Sequence, residues 1–160
     1  MIRKPRITVA AVVEQEGSFL LVEERVDGRL VLNQPAGHLE PDESLLAAVV
    51  RECREETAHR FLPTALVGIY RWQSPGHGDA FLRFCFAGTA ESRIPDQPLD
   101  KDIERTLWLS HEELMEQQHG LRSPLVLCGV EDYIAGRRYP LDILVDLPSP
   151  GGKAEQGEQR

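Results

Sequence analysis

A helix over residues 43–57 is opposed by its own charges unless something outside it neutralises them. At about 100° per residue, Leu46, Val49, Val50 and Cys53 fall on one side and are expected to face a core. Glu52, Glu55 and Glu56 fall together on another, spaced i, i+3 and i+4, so they are neighbours in space. Ala48, one turn before Glu52 on the same side, leaves room for something to approach. The arrangement is unfavourable twice over. Like charges at this spacing repel by a few tenths of a kcal/mol per pair, and they occupy the last turns, where the helix dipole disfavours anions. Arg51, Arg54, His59 and Arg60 offset part of this. Two readings are open: a solvated acidic face laced with arginine pairs, or a divalent-cation site. Three carboxylates on one rigid face suit Mg²⁺ or Mn²⁺, which prefer oxygen ligands.

The rest of the chain is organised around that segment. Residues 7–13 read as a strand, Glu14 to Gly17 as a hairpin turn and Phe19 to Val22 as the return strand. Asp27-Gly28 marks a second turn leading to Leu30-Val31-Leu32. Asn33 to Gly37 reads as a loop from its Pro and Gly, and Asp42 as the N-cap of the acidic helix. Further strands are expected at 64–73, 80–88 and 104–109. Ser110 caps a short helix through Met115, and a last helix runs from Pro124 to Ala135 with Gly136 at its C-terminal end. Strands, one helix, strands, then helices predict an α/β domain with a mixed sheet flanked by helices. A single domain over 1–147 is expected, followed by a polar tail, 148–160, whose composition predicts disorder.

Composition narrows the partners. The net charge of −8 argues against a long polyanion, because nucleic-acid binders present a basic face. A small phosphorylated substrate remains compatible with that charge if a divalent cation supplies the local positive potential. Cys53, Cys85 and Cys128 form no CxxC pair and are odd in number, which points to a reducing cytoplasm. Arg3, Lys4 and Arg6 before an apolar run resemble a signal peptide, but Glu14 and Glu16 interrupt the run, so a buried strand is the better reading. No stretch is long enough to span a bilayer.

The segment from Gly37 to Glu56 resembles the signature of the Nudix hydrolases, G-x5-E-x7-R-E-U-x-E-E-x-G-U with U a bulky apolar residue. Gly37, Glu43, Arg51, Glu52, Glu55 and Glu56 match at the right spacing, and Cys53 is a somewhat small U. Two positions depart: the glycine is Ala58 and the apolar residue after it is His59. Alanine in a left-handed cap costs about 1–2 kcal/mol, so the helix is expected to run on or exit differently. Asn33 to His38, Phe81 to Phe84, Leu121 to Val126 and Arg138 to Leu141 resemble the NudJ-type phosphatase branch of the family, so the resemblance covers roughly residues 5–145.

The resemblance implies an α/β/α sandwich around a mixed sheet and a Mg²⁺-dependent hydrolase, with Mn²⁺ able to substitute. Glu52, Glu55 and Glu56 are then the catalytic metal ligands, one of them (Glu52 is the candidate) doubling as general base, and Gly37 is a further candidate ligand through its carbonyl. Glu43 and Arg51 are expected to support the ligands as an ion pair. Asp102 and Glu104, in an acidic loop before a strand, are candidates for an extra ligand or base. Arg83, a cation in an otherwise apolar strand, is the candidate phosphate contact. Trp72 is a candidate stacking surface, Arg122 a candidate anion contact, and Trp108 is expected in the core. His38, His77, His111 and His119 carry no ligand spacing and are read as surface. The implied substrates are small: nucleoside tri- and diphosphates and thiamine-type pyrophosphates, with orthophosphate released. Competing readings are attack at an inner phosphorus, including that of an RNA 5′ end, and a non-catalytic ligand-binding module; the oligomeric state is open.

Overall fold

The protein is described here by a computed structural model covering residues 3–76 and 78–148. His77 and residues 149–160, which hold nearly all of the polar tail, lie outside the described residues.

Strand β1 (Arg6–Gln15) is the axis of the fold. Its apolar residues fill both faces of the sheet, with period two: Val9, Ala11 and Val13 point to one core, Ala10 and Val12 to the other. β2 (Ser18–Val26) returns antiparallel through Glu16 and Gly17, both at positive φ, and β3 (Arg29–Asn33) through Asp27 and Gly28, likewise. Both are two-residue turns whose backbone twist matches that of the strands. β5 (Phe61–Gln73) and β6 (Ala80–Ala90) form a long hairpin. β6 joins β1 in parallel, Thr8 opposite Arg83, so the sheet is mixed, in the order β3-β2-β1-β6-β5. β7 (Ile103–Ser110) pairs β2.

Helix α1 (Leu45–Thr57) covers one face through Ala48, Val49 and Cys53, which pack on Val9, Leu20, Phe61 and Phe86. α2 (His111–Glu116) and α3 (Leu125–Ile134) cover the other, with Leu114, Val126 and Val130 on Phe19, Leu21 and Val67. The layers are helix, sheet, helix, as expected from the element order. Trp108 does not enter the core fully; it is partly buried and meets His59 edge-on.

Three local expectations are corrected. Asn33 to Gly37 is not all loop: β4 (Ala36–His38) pairs β1 antiparallel with Gly37 opposite Val9, and Pro35, just outside it, accepts from Ala11 N–H through its carbonyl at 2.9 Å, so its missing N–H costs the ladder nothing. The N-cap of α1 is Ser44, whose hydroxyl accepts from Ala47 N–H at 3.0 Å; Asp42 is at φ 65, outside the extended region an N-cap occupies. The helix neither runs on nor exits differently at Ala58. That residue adopts the left-handed conformation itself, φ 59, with its N–H on Arg54 O at 2.9 Å and its carbonyl accepting from Ile94 N–H at 2.7 Å. Those bonds and complete burial hold a residue that glycine would fill without strain.

Candidate active site

The acidic side of α1 does not face open water. Glu52 is 9% exposed and Glu56 6%. Glu56 Oε1 accepts the Ala36 N–H of β4 at 2.7 Å, which ties the helix to the strand. Burial, first of all, pushes the Glu56 carboxyl up to about 9, with the charges of Glu52, Glu24 and Asp100 adding and the Ala36 bond opposing. Burial likewise raises Glu52 to about 7, against the pull of Arg51. Two neighbouring carboxyls so raised form a site short of positive charge.

Arg51 answers part of that demand. Its guanidinium grips Glu43 with two bonds, 2.9 and 2.6 Å, and reaches Glu52 at 2.8 Å, Glu55 at 3.2 Å and the His38 carbonyl at 3.1 Å. The Arg51 bond holds the Glu43 carboxyl below its ordinary range. One planar cation thus fixes the loop before α1 and orients two of the glutamates. Gly37 faces this cluster from β4 so closely that a Cβ there would lie 2.1 Å from Glu52 Oε1; no other residue fits.

Sequence reasoning missed one member. Carboxylate oxygens of Glu52, Glu55 and Asp100 lie within 4.8 Å of one another. Asp100 arrives from the loop before β7, anchored by its own N–H on the Glu55 carbonyl at 2.9 Å. Three hard oxygen donors converging beside a desolvated fourth carboxylate, Glu56, fit a divalent cation. Asp102 and Glu104 are not brought to this cluster. The Asp102 carbonyl accepts from Arg25 N–H, and the Glu104 carboxylate pairs with the Arg25 side chain at 2.5 Å.

Next to the cluster opens a cleft of about 170 Å³, lined by Gly37, His38, Glu24, Asn33, Trp72, Phe81, Arg83, Arg122 and other residues. Gly37 is common to cleft and carboxylate cluster. Arg83 stands in the wall 7% exposed; its Nη1 donates to Gln34 Oε1 at 3.3 Å, and its buried Nε has no partner among the described residues. Arg122, at the rim, lies 3.9 Å from Glu24. Trp72 is not a core residue: it stacks on Phe81, centroids 5.7 Å apart, as one wall. His38 is exposed, as expected, but lines the cleft; partial burial, then the charges of Arg6, Arg122 and Arg83, depress its pKa. The cleft is therefore locally cationic on a chain of net charge −8. Glu24 was also missed. It looks like one charge among several in Glu23-Glu24-Arg25, and only the bulge where β2 meets β7 distinguishes it.

Comparison with known proteins agrees with this geometry. The family model described as NUDIX domain matches residues 4–128. The phosphatase NudJ of Escherichia coli K12 is 46% identical over 147 residues, spanning 92% of this chain and 95% of that protein. A NUDIX hydrolase from Nitrosomonas europaea, 52% identical, superposes with a TM-score of 0.88 over 90% of this chain and 98% of its own. The NUDIX domain of Shewanella oneidensis NrtR, solved with ADP ribose, shares the fold at 17% identity and TM-score 0.63, over 84% of this chain and 90% of its own.

Proposed function

Because this chain belongs to the NUDIX family and is a hydrolase of phosphorus-containing anhydrides, we propose that it removes the terminal phosphate from small pyrophosphate compounds with Mg²⁺, for which Mn²⁺ can substitute. The substrate class is nucleoside tri- and diphosphates and thiamine-type pyrophosphates. One observation carries the reading. A buried guanidinium that meets no carboxylate among the described residues, Arg83, opens onto the same cleft as Gly37, across which the carboxylate cluster begins. A cation receptor and an anion receptor side by side suit a short polyphosphate that carries a metal.

In this reading Glu52, Glu55 and Asp100 would hold the cation, with Glu56 buried beside them and the Gly37 carbonyl a further candidate ligand. The cation, when bound, neutralises phosphate oxygens and makes phosphorus more electrophilic. Arg51 keeps Glu52 and Glu55 aimed, and Glu43 keeps Arg51 in place. Glu52 takes the proton of the attacking water. Arg83 binds the departing phosphate, with Arg122 at the rim, and Trp72 on Phe81 stacks against the heterocycle. We place the enzyme in the cytoplasm, in keeping with its three unpaired cysteines; among the described residues no helix is long and apolar enough to cross a membrane.

A panel of nucleoside tri- and diphosphates and thiamine diphosphate, hydrolysed with Mg²⁺ in ¹⁸O-labelled water, tests the proposal. Label appearing first in orthophosphate supports terminal attack. Pyrophosphate as the main product from a nucleoside triphosphate refutes it, leaving the family assignment intact.

A further inference from the structure

Arg83 is held by an uncharged group, although burial favours pairing a guanidinium with a carboxylate. The group is Gln34, 1% exposed and so buried deeper than Arg83 itself. Its Oε1 accepts from Arg83 Nη1 at 3.3 Å, and its Nε2 donates to Cys85 Sγ at 3.7 Å. The thiol thereby fixes which end of the amide faces the arginine. Behind the amide lies Gly129, within α3. A Cβ there would stand 2.9 Å from Gln34 Nε2 and 3.1 Å from Cys85 Sγ. Glycine inside a helix costs about 1 kcal/mol relative to alanine; here it leaves the volume the amide occupies.

We infer that Gln34, seated against Gly129 and Cys85, is a positioning residue that holds the Arg83 guanidinium toward the cleft without neutralising it, keeping its charge for the phosphate of the substrate. A carboxylate at 34 would satisfy Arg83 from within the protein and leave less for a ligand. An apolar residue would leave the guanidinium without its one bonded anchor. Gln34 touches no substrate; it acts through Arg83. The inference rests on the proposed role of Arg83 as phosphate receptor.

The test compares Gln34→Glu, Arg83→Gln and Gly129→Ala with the wild-type full chain. Affinity for inorganic pyrophosphate is measured by calorimetry with Mg²⁺, and KM and kcat with the best triphosphate of the panel. Gln34→Glu is expected to melt no lower than wild type, to weaken pyrophosphate binding about tenfold or more, the scale of one charge-assisted hydrogen bond, and to raise KM similarly with kcat within about twofold. A merely destabilised enzyme shows the opposite split, losing active fraction at constant KM. Gly129→Ala, which presses on the amide from outside the cleft, is expected to weaken pyrophosphate several-fold, and it decides the matter should Gln34→Glu not fold. Wild-type pyrophosphate affinity in the deciding variant, with binding lost in Arg83→Gln, overturns the positioning role and leaves the Arg83 reading standing. Wild-type affinity in Arg83→Gln overturns both.

Discussion

Replacing Glu56 by Gln should make the metal-free protein more stable, by an amount that grows with pH. Glu56 is almost wholly buried, and its carboxyl is pushed from an ordinary 4.5 to about 9, burial being the largest cause. A carboxyl raised on folding contributes its full stability below the unfolded value and loses it as pH rises through the folded one. The window is therefore about pH 4.5 to 9. Each pH unit within it costs about 1.4 kcal/mol, so from pH 5.5 to 8 wild type loses on the order of 3 kcal/mol through this one group. Gln titrates nowhere in that range and keeps an oxygen to accept the Ala36 N–H, so the variant escapes the loss without giving up the bond. In a domain of this size 1 kcal/mol moves Tm by about 2–4 °C, and the gap between the two proteins should widen by about 6–12 °C. Melts in EDTA across that range provide the measurement. A gap that does not change with pH refutes the reasoning, since an ionised, uncompensated Glu56 would then cost the fold nothing. Excess Mg²⁺ should narrow the gap at pH 8, because the cation stabilises wild type by binding the charge that Gln lacks.

Three further outcomes follow from the same geometry. Hydrolysis should stop in excess EDTA and return with Mg²⁺ or Mn²⁺; full turnover with the chelator present would sink the metal assignment. Glu52→Gln and Glu55→Gln should cut kcat by orders of magnitude with no loss of Tm in the metal-free protein, whereas Arg51→Ala should lower Tm and rate together because five contacts leave with it. Asp100→Asn should weaken Mn²⁺ binding by electron paramagnetic resonance titration while Asp102→Asn leaves it at wild-type strength, and the reverse order would return the extra ligand to the position expected from sequence alone.

The sequence was most readable where chemistry and periodicity coincide. Glu52, Glu55 and Glu56 stand out because one helical face carries charges that a stable helix avoids, and short continuous apolar runs in β1, β2 and β6 mark strands buried on both faces. What escaped depends on contacts distant in sequence. Asp100 looks like any carboxylate in a polar loop until its N–H is seen on the Glu55 carbonyl. Asp102 and Glu104 are equally acidic, but Arg25 of β2 takes the carbonyl of one and the carboxylate of the other. Gln34 carried no local signal, since a buried amide and an exposed one are the same letter. Ala58 misled through its steric penalty, which the last helical bond to Arg54, the distant bond from Ile94 and complete burial override.

The parallel pairing of β1 with β6 also sets the order in which this molecule can assemble. Arg6 meets Phe81 and Val13 meets Gly88 only after about 75 residues of intervening chain have closed into a loop. The hairpins β1-β2-β3 and β5-β6 are local and can form early, whereas their union is slow. Until then β6 waits with one edge unpaired, and its run Phe81-Leu82-Arg83-Phe84-Cys85-Phe86 is a template for association with other chains. Arg83 is the single charge in that run, in the position of a gatekeeper that discourages intermolecular strand pairing. Substitutions at Arg83, the residue to which we assign phosphate binding in the folded enzyme, should therefore register in soluble yield as well as in KM.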